Sequence, residues 1–257
     1  MLRPNGRGDF WWYDCLLGRP VRGTPCTASA LAGYARVTLT VGIDYQRLYE
    51  YRFRRIDQAS RQAVWSEIAA YLYWRMGAPA KVLDPAAGRC EFINAVHAAE
   101  RWAVDTVDHG EFQQSGVKVI VGDILDVELP LAHFDGILVS NFLEHLPSQD
   151  AIGTLLAKLR TSMEPGGTIA VLGPNFRYCP DRYFDCADHT LALTHKSVAE
   201  HLYAAGFEVT TVIPRFLPYS FNGPLPPSPL LTRIYLRVPA LWRVVGKQFL
   251  VLGVRPG

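Results

Sequence analysis

Three carboxylates stand at intervals that suit the binding of a nucleotide-like ligand. Asp84 ends a first apolar run, Asp105 lies about 20 residues further on, and Asp123 follows a third apolar run. Between the first two, residues 85–90 form a turn of small residues that leads into a helical segment. Small residues let the backbone approach a ligand, a helix N-terminus offers unpaired N–H groups, and a carboxylate can accept both ribose hydroxyls. The pattern predicts a nucleotide-shaped pocket at the carboxyl end of a parallel sheet.

The elements that must position these carboxylates alternate along the chain. Predicted strands cover residues 81–84, 101–105, 117–121, 134–139, 168–172, 207–213 and 247–254. Predicted helices cover 57–76, 91–99, 149–163 and 196–205, and a turn covers 164–167. This alternation predicts an α/β fold: a Rossmann-like, doubly wound, mostly parallel seven-stranded sheet with helices on both faces.

Composition narrows the class of protein. With 257 residues and 49% hydrophobic content, the chain can bury a core for one domain with appendages. A net charge of +2 without any Lys/Arg run argues against a nucleic-acid partner. Five cysteines without a C-x-x-C pair favour a reducing cytoplasm. With neither a secretory signal nor an apolar run of about 18 residues, we expect a soluble, cytoplasmic protein.

The acids and the small-residue turn resemble the class I S-adenosylmethionine-dependent methyltransferases. In that family the first strand ends in D-x-G-x-G-x-G, and here Ala86 and Cys90 stand at glycine positions on either side of Gly88. Cysteine disfavours a positive φ. We therefore expect either a different turn at Cys90 or a methionine end of the cofactor that lies further out.

Further motifs extend the resemblance over residues 45–214. Residues 122–124 resemble the G-D-x element beside the adenine, residues 134–146 resemble the fourth motif with an L-E-H-L ending, and residues 159–167 resemble the L-x-P-G-G turn. A dehydrogenase would also place an acid about 20 residues past the turn. That fold requires G-x-G-x-x-G, which the chain lacks, so the order of the motifs favours a methyltransferase.

The resemblance implies S-adenosylmethionine as cofactor, S-adenosylhomocysteine as product, and a set of cofactor-binding residues. In this set Asp105 would accept the ribose hydroxyls and Asp123 the adenine amino group. The full set is Asp84, Ala86, Gly88, Asp105, Thr106, Asp123, Ile124 and Asn141. Segments between residues 173 and 248 resemble bacterial methyltransferases that accompany glycan and secondary-metabolite biosynthesis, which implies a small-molecule or glycan acceptor methylated on oxygen.

Methyl transfer needs an acceptor held in line and, for a hydroxyl, a base. His189 follows Asp188 on the loop after the fifth strand and is the predicted general base; a loop-anchoring histidine is an equally good interpretation. His145 and Asp188 complete the predicted catalytic set, although His145 more often braces the cofactor loop. Cys179, Cys186, His189 and His195 match no zinc spacing, so we predict no metal.

The sequence predicts three segments. They are an irregular arm over residues 1–44, a helical lid over 45–80, and the methyltransferase domain over 81–257 with an insertion at 217–246. In the arm, the aromatic residues 10–13 could serve as an interaction site or as a clamp on the domain. In the lid, Tyr45 or Tyr49 would cover the methyl group and Arg52 would meet the methionine carboxylate; the alternative is an ordinary surface helix.

The amphipathic stretch 230–245 favours packing on the domain or on a second copy of the chain in a homodimer. The alternative is peripheral contact with a membrane that holds a lipid-linked acceptor. A functional alternative also stays open, because the altered turn at Ala86 and Cys90 would suit a cofactor-binding protein with a non-methylating or structural role.

Overall fold

The computed structural model describes residues 43–54, 56–219 and 227–257, and a seven-stranded sheet lies at the centre of this part of the chain. The strands are β1 Lys81–Asp84, β2 Glu100–Asp105, β3 Val117–Val121, β4 Phe134–Ser140, β5 Met163–Pro174, β6 Glu208–Ile213 and β7 Gln248–Val254. Their spatial order is β3-β2-β1-β4-β5-β7-β6, and only β7 runs antiparallel to its neighbours. The predicted mostly parallel, doubly wound fold is confirmed.

Seven helices accompany the described strands, and several begin at a polar capping residue. They are α1 Tyr45–Phe53, α2 Gln58–Arg75, α3 Glu91–Ala95, α4 Gln149–Ser162, α5 His195–Ala204, α6 Pro229–Arg237 and α7 Pro239–Val245. The Ser148 side chain accepts the Ala151 N–H at 3.1 Å, and Thr194 and Ser197 form a capping box at α5. Such caps satisfy N–H groups that the first turn leaves unpaired, typically for about 1 kcal/mol each.

Helices cover both faces of the sheet. Val82 packs with the buried side of α2, whereas its neighbour Leu83 packs with α4 on the opposite face. Successive side chains of a strand point to opposite faces, and both faces of a parallel sheet are normally buried. The first layer also contains buried residues of α3, α6 and α7, and the second those of α5.

Two predicted boundaries are wrong. The helix expected over 91–99 ends at Ala95, because Val96 is extended (φ −69°, ψ 137°) and the chain turns back to start β2. There the Glu100 N–H donates to the Ala80 carbonyl oxygen at 2.9 Å, so sheet pairing overrides the helical preference of the alanines at 98 and 99.

The turn expected at 164–167 lies inside β5. The pairing moves from Phe134–Met163 to Gly136–Thr168, so four residues of β5 bulge opposite one of β4. Gly166 has φ of +82° there, a conformation that glycine adopts without strain. The small residues therefore bend the strand instead of ending it.

Several expectations concern residues outside the described part of the chain. These are the arm over residues 1–42 with its aromatic cluster, and residues 220–226 of the predicted insertion. In the ranges that are described, no helix is long and apolar enough to cross a bilayer.

The site is positioned by one edge of the sheet. β1 to β5 run parallel, so their carboxyl ends meet at a common edge. β7 is antiparallel, and its first residue Gln248 pairs with Pro174 at the end of β5. The segment that joins β6 to β7 therefore returns to this carboxyl edge as well.

Candidate functional site

Backbone hydrogen bonds tie the turn after β1 to the end of β2. The Ala87 N–H donates to the Val104 carbonyl oxygen at 3.0 Å, and the Gly88 N–H donates to Asp105 Oδ2 at 2.7 Å. Gly88 has φ of +51°, and a Cβ there would meet no atom within 4 Å. The backbone conformation, not crowding, therefore favours glycine at this position.

Cys90 adopts the left-handed conformation that a glycine would supply at the same motif position. Its φ is +60° and its ψ is +20°, so the expectation of a different backbone at Cys90 is wrong. A left-handed residue other than glycine costs roughly 1–2 kcal/mol. The Cys90 side chain is buried in the core, which offsets part of this cost, and burial raises the pKa of its thiol to about 12. The outward shift of the methionine end stays a prediction.

Asp105 lies at the lip of a depression beside the turn. Its Oδ1 accepts the Val107 N–H at 3.0 Å and lies 3.8 Å from His109 Nε2. A carboxylate offers about four acceptor positions, so two bonds to backbone N–H groups leave room for ribose hydroxyls. The depression is lined by residues that include Ala87, Gly88, Asp105, Val107, His109 and Gln113. His109 and Gln113 lie on an irregular loop and carried no motif signal.

Asp84 lies beneath the turn instead of on its surface. The carboxyl is 3% exposed, and the Ala86 N–H points to its Oδ1 at 3.4 Å. Burial raises the pKa of Asp84 to about 8, and the charge of Asp105 adds to the rise, while the contact with Ala86 lowers it. At neutral pH the folded protein therefore holds this carboxyl largely protonated.

The remaining predicted cofactor residues all lie at carboxyl ends of strands. Asp123 is exposed and accepts a backbone N–H two residues further on at 2.9 Å, whereas Ile124 is buried. Thr106 is exposed directly after Asp105. Asn141 follows β4 with φ of +48°, and its N–H donates to a carbonyl of β5. The geometry gathers these residues at one edge, and their individual roles stay predictions.

Four ionisable side chains meet beyond the ends of β4 and β5. Glu144 and His145 belong to a 3-10 turn (Leu143–His145), while Asp188 and His189 lie on the loop after β5. His145 Nδ1 lies 3.0 Å from the Asp188 carbonyl oxygen and 3.4 Å from its Oδ2. The rings of His145 and His189 have centroids 4.9 Å apart. The structure therefore brings together all three predicted catalytic residues, which we call the acceptor cluster with Glu144.

Some polar atoms of the acceptor cluster are buried without a partner. Among the described residues, neither Glu144 Oε1 nor His189 Nδ1 has a hydrogen-bond partner. Burial raises the pKa of Glu144, and His145 counteracts this rise. Burial and the neighbouring His145 lower the pKa of His189 to about 4, so the ring is neutral at physiological pH. Because an unsatisfied buried polar atom costs about 1–3 kcal/mol, this cluster suits a ligand that supplies partners.

Helix α1 contacts both ends of the site. Arg52 forms an ion pair with the buried Asp188, and the Tyr49 ring lies edge-on to His109 with centroids 6.5 Å apart. Burial raises the pKa of Tyr49 to about 12. Tyr45 is exposed. Arg52, expected to meet the methionine carboxylate, thus contacts Asp188 of the acceptor cluster.

Several side chains that could bind a metal ion lie close together near the acceptor cluster. In the described ranges, Glu144, His145 and His189 bring donor atoms within 4.8 Å of one another, as do Cys186, Asp188 and His189. Of Cys179, Cys186, His189 and His195, only Cys186 and His189 belong to these groups. Cys179 Sγ donates to the Asn175 carbonyl oxygen at 3.2 Å instead, and His195 Nδ1 contacts the Asn175 side chain at 2.9 Å. The expectation of no metal stays a prediction that a metal assay can test.

A doubly wound sheet with a cofactor turn after β1 and an acid after β2 is typical of one class of protein. Residues 77–171 match the family model described as a methyltransferase domain, which spans the turn, Asp105, Asp123 and the L-E-H-L segment. The match of residues 77–171 and the shared fold support a class I S-adenosylmethionine-dependent methyltransferase domain, and a domain of this class implies S-adenosylmethionine as cofactor. A search of curated proteins finds no match to the chain.

Solved structures share the fold. A SAM-dependent methyltransferase from Archaeoglobus fulgidus is 20% identical with a TM-score of 0.56, and the match covers 82% of this chain and 100% of that one. A chain from the Haloferax volcanii complex of a methyltransferase with the Trm112 methyltransferase activator is 16% identical, with a TM-score of 0.59 over 82% and 97%. The [4+2]-cyclase SpnF is 14% identical, with a TM-score of 0.51 over 74% and 80%. The fold alone therefore does not identify the acceptor.

The residues at the carboxyl edge fit this cofactor. Asp105 keeps unused acceptor positions beside a depression, and the turn at Gly88 has open space above its backbone. Two adjoining features therefore suit the ribose and the methionine part of one ligand. The dehydrogenase interpretation is disfavoured, because the matched family is a methyltransferase domain.

Proposed function

We propose that the protein methylates a hydroxyl oxygen of a sugar or secondary-metabolite acceptor in the cytoplasm, with His189 as general base. The observation that carries the proposal is a neutral imidazole with an unpartnered Nδ1 in the acceptor cluster. A lone pair on Nδ1 can accept a proton when the other ring nitrogen carries the hydrogen.

A base at this place favours a hydroxyl over an amine as acceptor. A neutral amine attacks without prior loss of a proton, whereas an alcohol must release its proton as the new bond forms. When held by Asp105 and the turn at Gly88, the cofactor would supply a methyl group on a sulfonium and would leave as S-adenosylhomocysteine. His189 would accept the hydroxyl proton as the acceptor oxygen takes the methyl group from sulfur.

The other members of the acceptor cluster would orient the base and the acceptor. Asp188 contacts His145 through both its carbonyl and its carboxylate, and it binds Arg52 of α1. Glu144 Oε1 can accept a hydrogen bond from a second hydroxyl of the acceptor. A polyhydroxylated acceptor would satisfy more of these atoms than an acceptor with one polar group.

The test compares His189→Ala with His201→Ala, a histidine on α5 whose Nε2 lies 2.6 Å from Gln149 Oε1. The probes are a panel of monosaccharide glycosides and phenols with isotope-labelled S-adenosylmethionine, with the methylated atom assigned by NMR. We expect His189→Ala to lower kcat by about 10²–10⁴-fold and to leave S-adenosylhomocysteine affinity, measured by titration calorimetry, within about threefold. His201→Ala should resemble wild type. Wild-type kinetics in His189→Ala would remove the base assignment, and a methylated nitrogen would overturn the acceptor class.

The alternative is a cofactor-binding protein of the same fold that does not methylate. It is supported by Ala86 and Cys90 at motif glycine positions and by a [4+2]-cyclase among the proteins of similar fold. The left-handed backbone at Cys90 weakens it, because the turn keeps the shape that glycine would give. Calorimetric binding of the cofactor without label transfer to any acceptor would favour this alternative, and binding of neither cofactor form would overturn both.

A further inference from the structure

Helices α6 and α7 present a row of large apolar side chains to solvent. Leu230 is 62% exposed and Val244 is 74% exposed. We call this row the α6–α7 surface; it consists of Leu230, Leu231, Ile234, Val238, Leu241, Val244 and Val245. These seven exposed apolar side chains fall within 16 residues of sequence, whereas exposed apolar side chains are usually scattered over a protein surface and a large apolar patch marks an interaction site.

The α6–α7 surface is the solvent-exposed side of two helices whose other side packs on the domain. On its inner side Leu236 and Trp242 are buried, and Trp242 forms an edge-to-face contact with Phe216. The Tyr235 hydroxyl donates to the Phe216 carbonyl oxygen at 2.5 Å, and Trp242 Nε1 donates to the Tyr235 carbonyl oxygen at 2.9 Å. The predicted packing of this segment on the domain therefore accounts for one side only, and the exposed row cannot turn inward without breaking that packing.

Positive charge accompanies the apolar row. After Glu208 the chain carries six Lys or Arg residues and no Asp or Glu, although the formal net charge of the whole chain is only +2. Arg233 is paired with Glu67 of α2, whereas Arg237 and Arg243 are exposed on the two helices. This asymmetry complements an anionic partner.

The length and place of the helices indicate how such a partner would be met. At 1.5 Å per residue, α6 and α7 are about 13 Å and 10 Å long, too short for a bilayer core of about 30 Å. The connection that contains them leaves the sheet at the end of β6 and returns at the start of β7, and both points are at the carboxyl edge. In the same connection, the Tyr219 hydroxyl lies 4.0 Å from Cys186 Sγ. Cys186 precedes His189 by three residues in the sequence.

We infer that the α6–α7 surface docks on an anionic lipid surface, with the helices lying in the plane of the interface. Exposed leucine, isoleucine and valine side chains enter the acyl boundary while Arg237 and Arg243 contact acidic headgroups. Docking holds at the membrane a connection that leaves and rejoins the sheet at its carboxyl edge. If the proposed function holds, acceptors with a lipid anchor become accessible; the docking itself does not depend on methyl transfer.

The test uses the full chain and two vesicle compositions, pure phosphatidylcholine and phosphatidylcholine with phosphatidylglycerol. The variant Leu230→Glu/Val244→Glu changes two exposed side chains and leaves the buried Trp242 intact. Leu131→Glu is the matched control, because Leu131 is 77% exposed on the loop before β4, at the opposite edge of the sheet. Trp242→Ala is unsuitable, since its loss would disturb the core.

We expect wild type and Leu131→Glu to float with the anionic vesicles, and Leu230→Glu/Val244→Glu to bind at least tenfold more weakly. Raising the salt concentration should weaken wild-type binding as well. Circular dichroism melting checks that the double variant is folded. The inference would be overturned if wild type stayed at the bottom of the gradient, or if the double variant and the control lost vesicle binding equally. A dimer in sedimentation equilibrium that the double variant converts to monomer, without flotation of wild type, would assign the surface to a second copy instead.

Discussion

Backbone hydrogen bonds shape the cofactor side of the site, whereas contacts between ionisable side chains shape the acceptor side. The Asp105 carboxylate accepts two backbone N–H groups of the turns around it. In the acceptor cluster, Glu144 Oε1 and His189 Nδ1 are buried without a hydrogen-bond partner among the described residues, and His109 Nε2 is in the same state beside the depression. Backbone geometry therefore prepares the cofactor turn in advance, whereas the acceptor cluster depends on side chains whose buried polar atoms a ligand could satisfy.

The largest expected effect is on the cofactor side. Asp105→Ala removes the predicted ribose acceptor and also the partner of the Gly88 N–H, so the turn loses its attachment to β2. We expect S-adenosylhomocysteine affinity to fall about 100-fold or more, equivalent to about 2.7 kcal/mol. Titration calorimetry measures it, with Asp108→Ala on the same loop as the control. Affinity within threefold of wild type would contradict a prepared cofactor site.

On the acceptor side, Arg52→Ala should have the next largest effect. It leaves the buried Asp188 carboxylate with His145 but without its arginine partner, and it removes the ion pair that joins α1 to the acceptor cluster. We expect kcat/KM to fall about tenfold and the free energy of unfolding to fall by about 1–3 kcal/mol. Steady-state kinetics and urea unfolding measure the two, and Arg52→Lys should recover part of both. A change in cofactor affinity alone would place Arg52 on the cofactor side instead.

Asp84→Asn should stabilise the protein, and more so at higher pH. The unfolded state releases the Asp84 proton near its ordinary pKa of 3.8, whereas the folded state holds it up to about pH 8. The contribution of protonated Asp84 to the stability of the wild-type protein is therefore fully present below pH 3.8 and is lost as the pH rises toward 8. We expect Asp84→Asn to gain roughly 1–2 kcal/mol at pH 8 and little at pH 4, measured by thermal melting. A gain that does not vary with pH would argue against a buried neutral carboxyl.

The smallest effect is expected at Cys90. Cys90→Gly removes the strain of a left-handed backbone at a residue with a side chain. It also removes a buried side chain and raises the conformational entropy of the unfolded chain, so the stabilising and destabilising contributions nearly cancel. We expect stability to change by less than about 1 kcal/mol and S-adenosylhomocysteine affinity to stay within about threefold. A large gain in affinity would show that the cysteine holds the methionine end of the cofactor away.

Much of the fold was predictable because its signals are local. Apolar runs predicted all of β1 and β3 and most of β2 and β4, and the acids at their ends were placed at one edge as expected. The bounds of α3 and the bulge in β5 were not predictable, since both depend on pairing with a distant strand.

The site divides in the same way. The cofactor turn follows from residues that are neighbours in sequence, so its motif could be read directly. The ion pair of Arg52 with Asp188 joins residues 136 positions apart, and His109 reaches the depression from a loop without regular spacing. Contacts of this kind depend on how the elements pack, and a single sequence carries no spacing that reveals them.

The position of β7 has a consequence for how the chain reaches its final form. β6 is synthesised before β7 but joins the sheet only through it, because β7 lies between β5 and β6. Until Gln248–Val254 has been synthesised and has joined the sheet, the edge of β5 is exposed, and the central residues of β5 are apolar. Exposed strand edges pair readily with other chains. During synthesis, the edge of β5 is therefore open to pairing with other chains until β7 covers it.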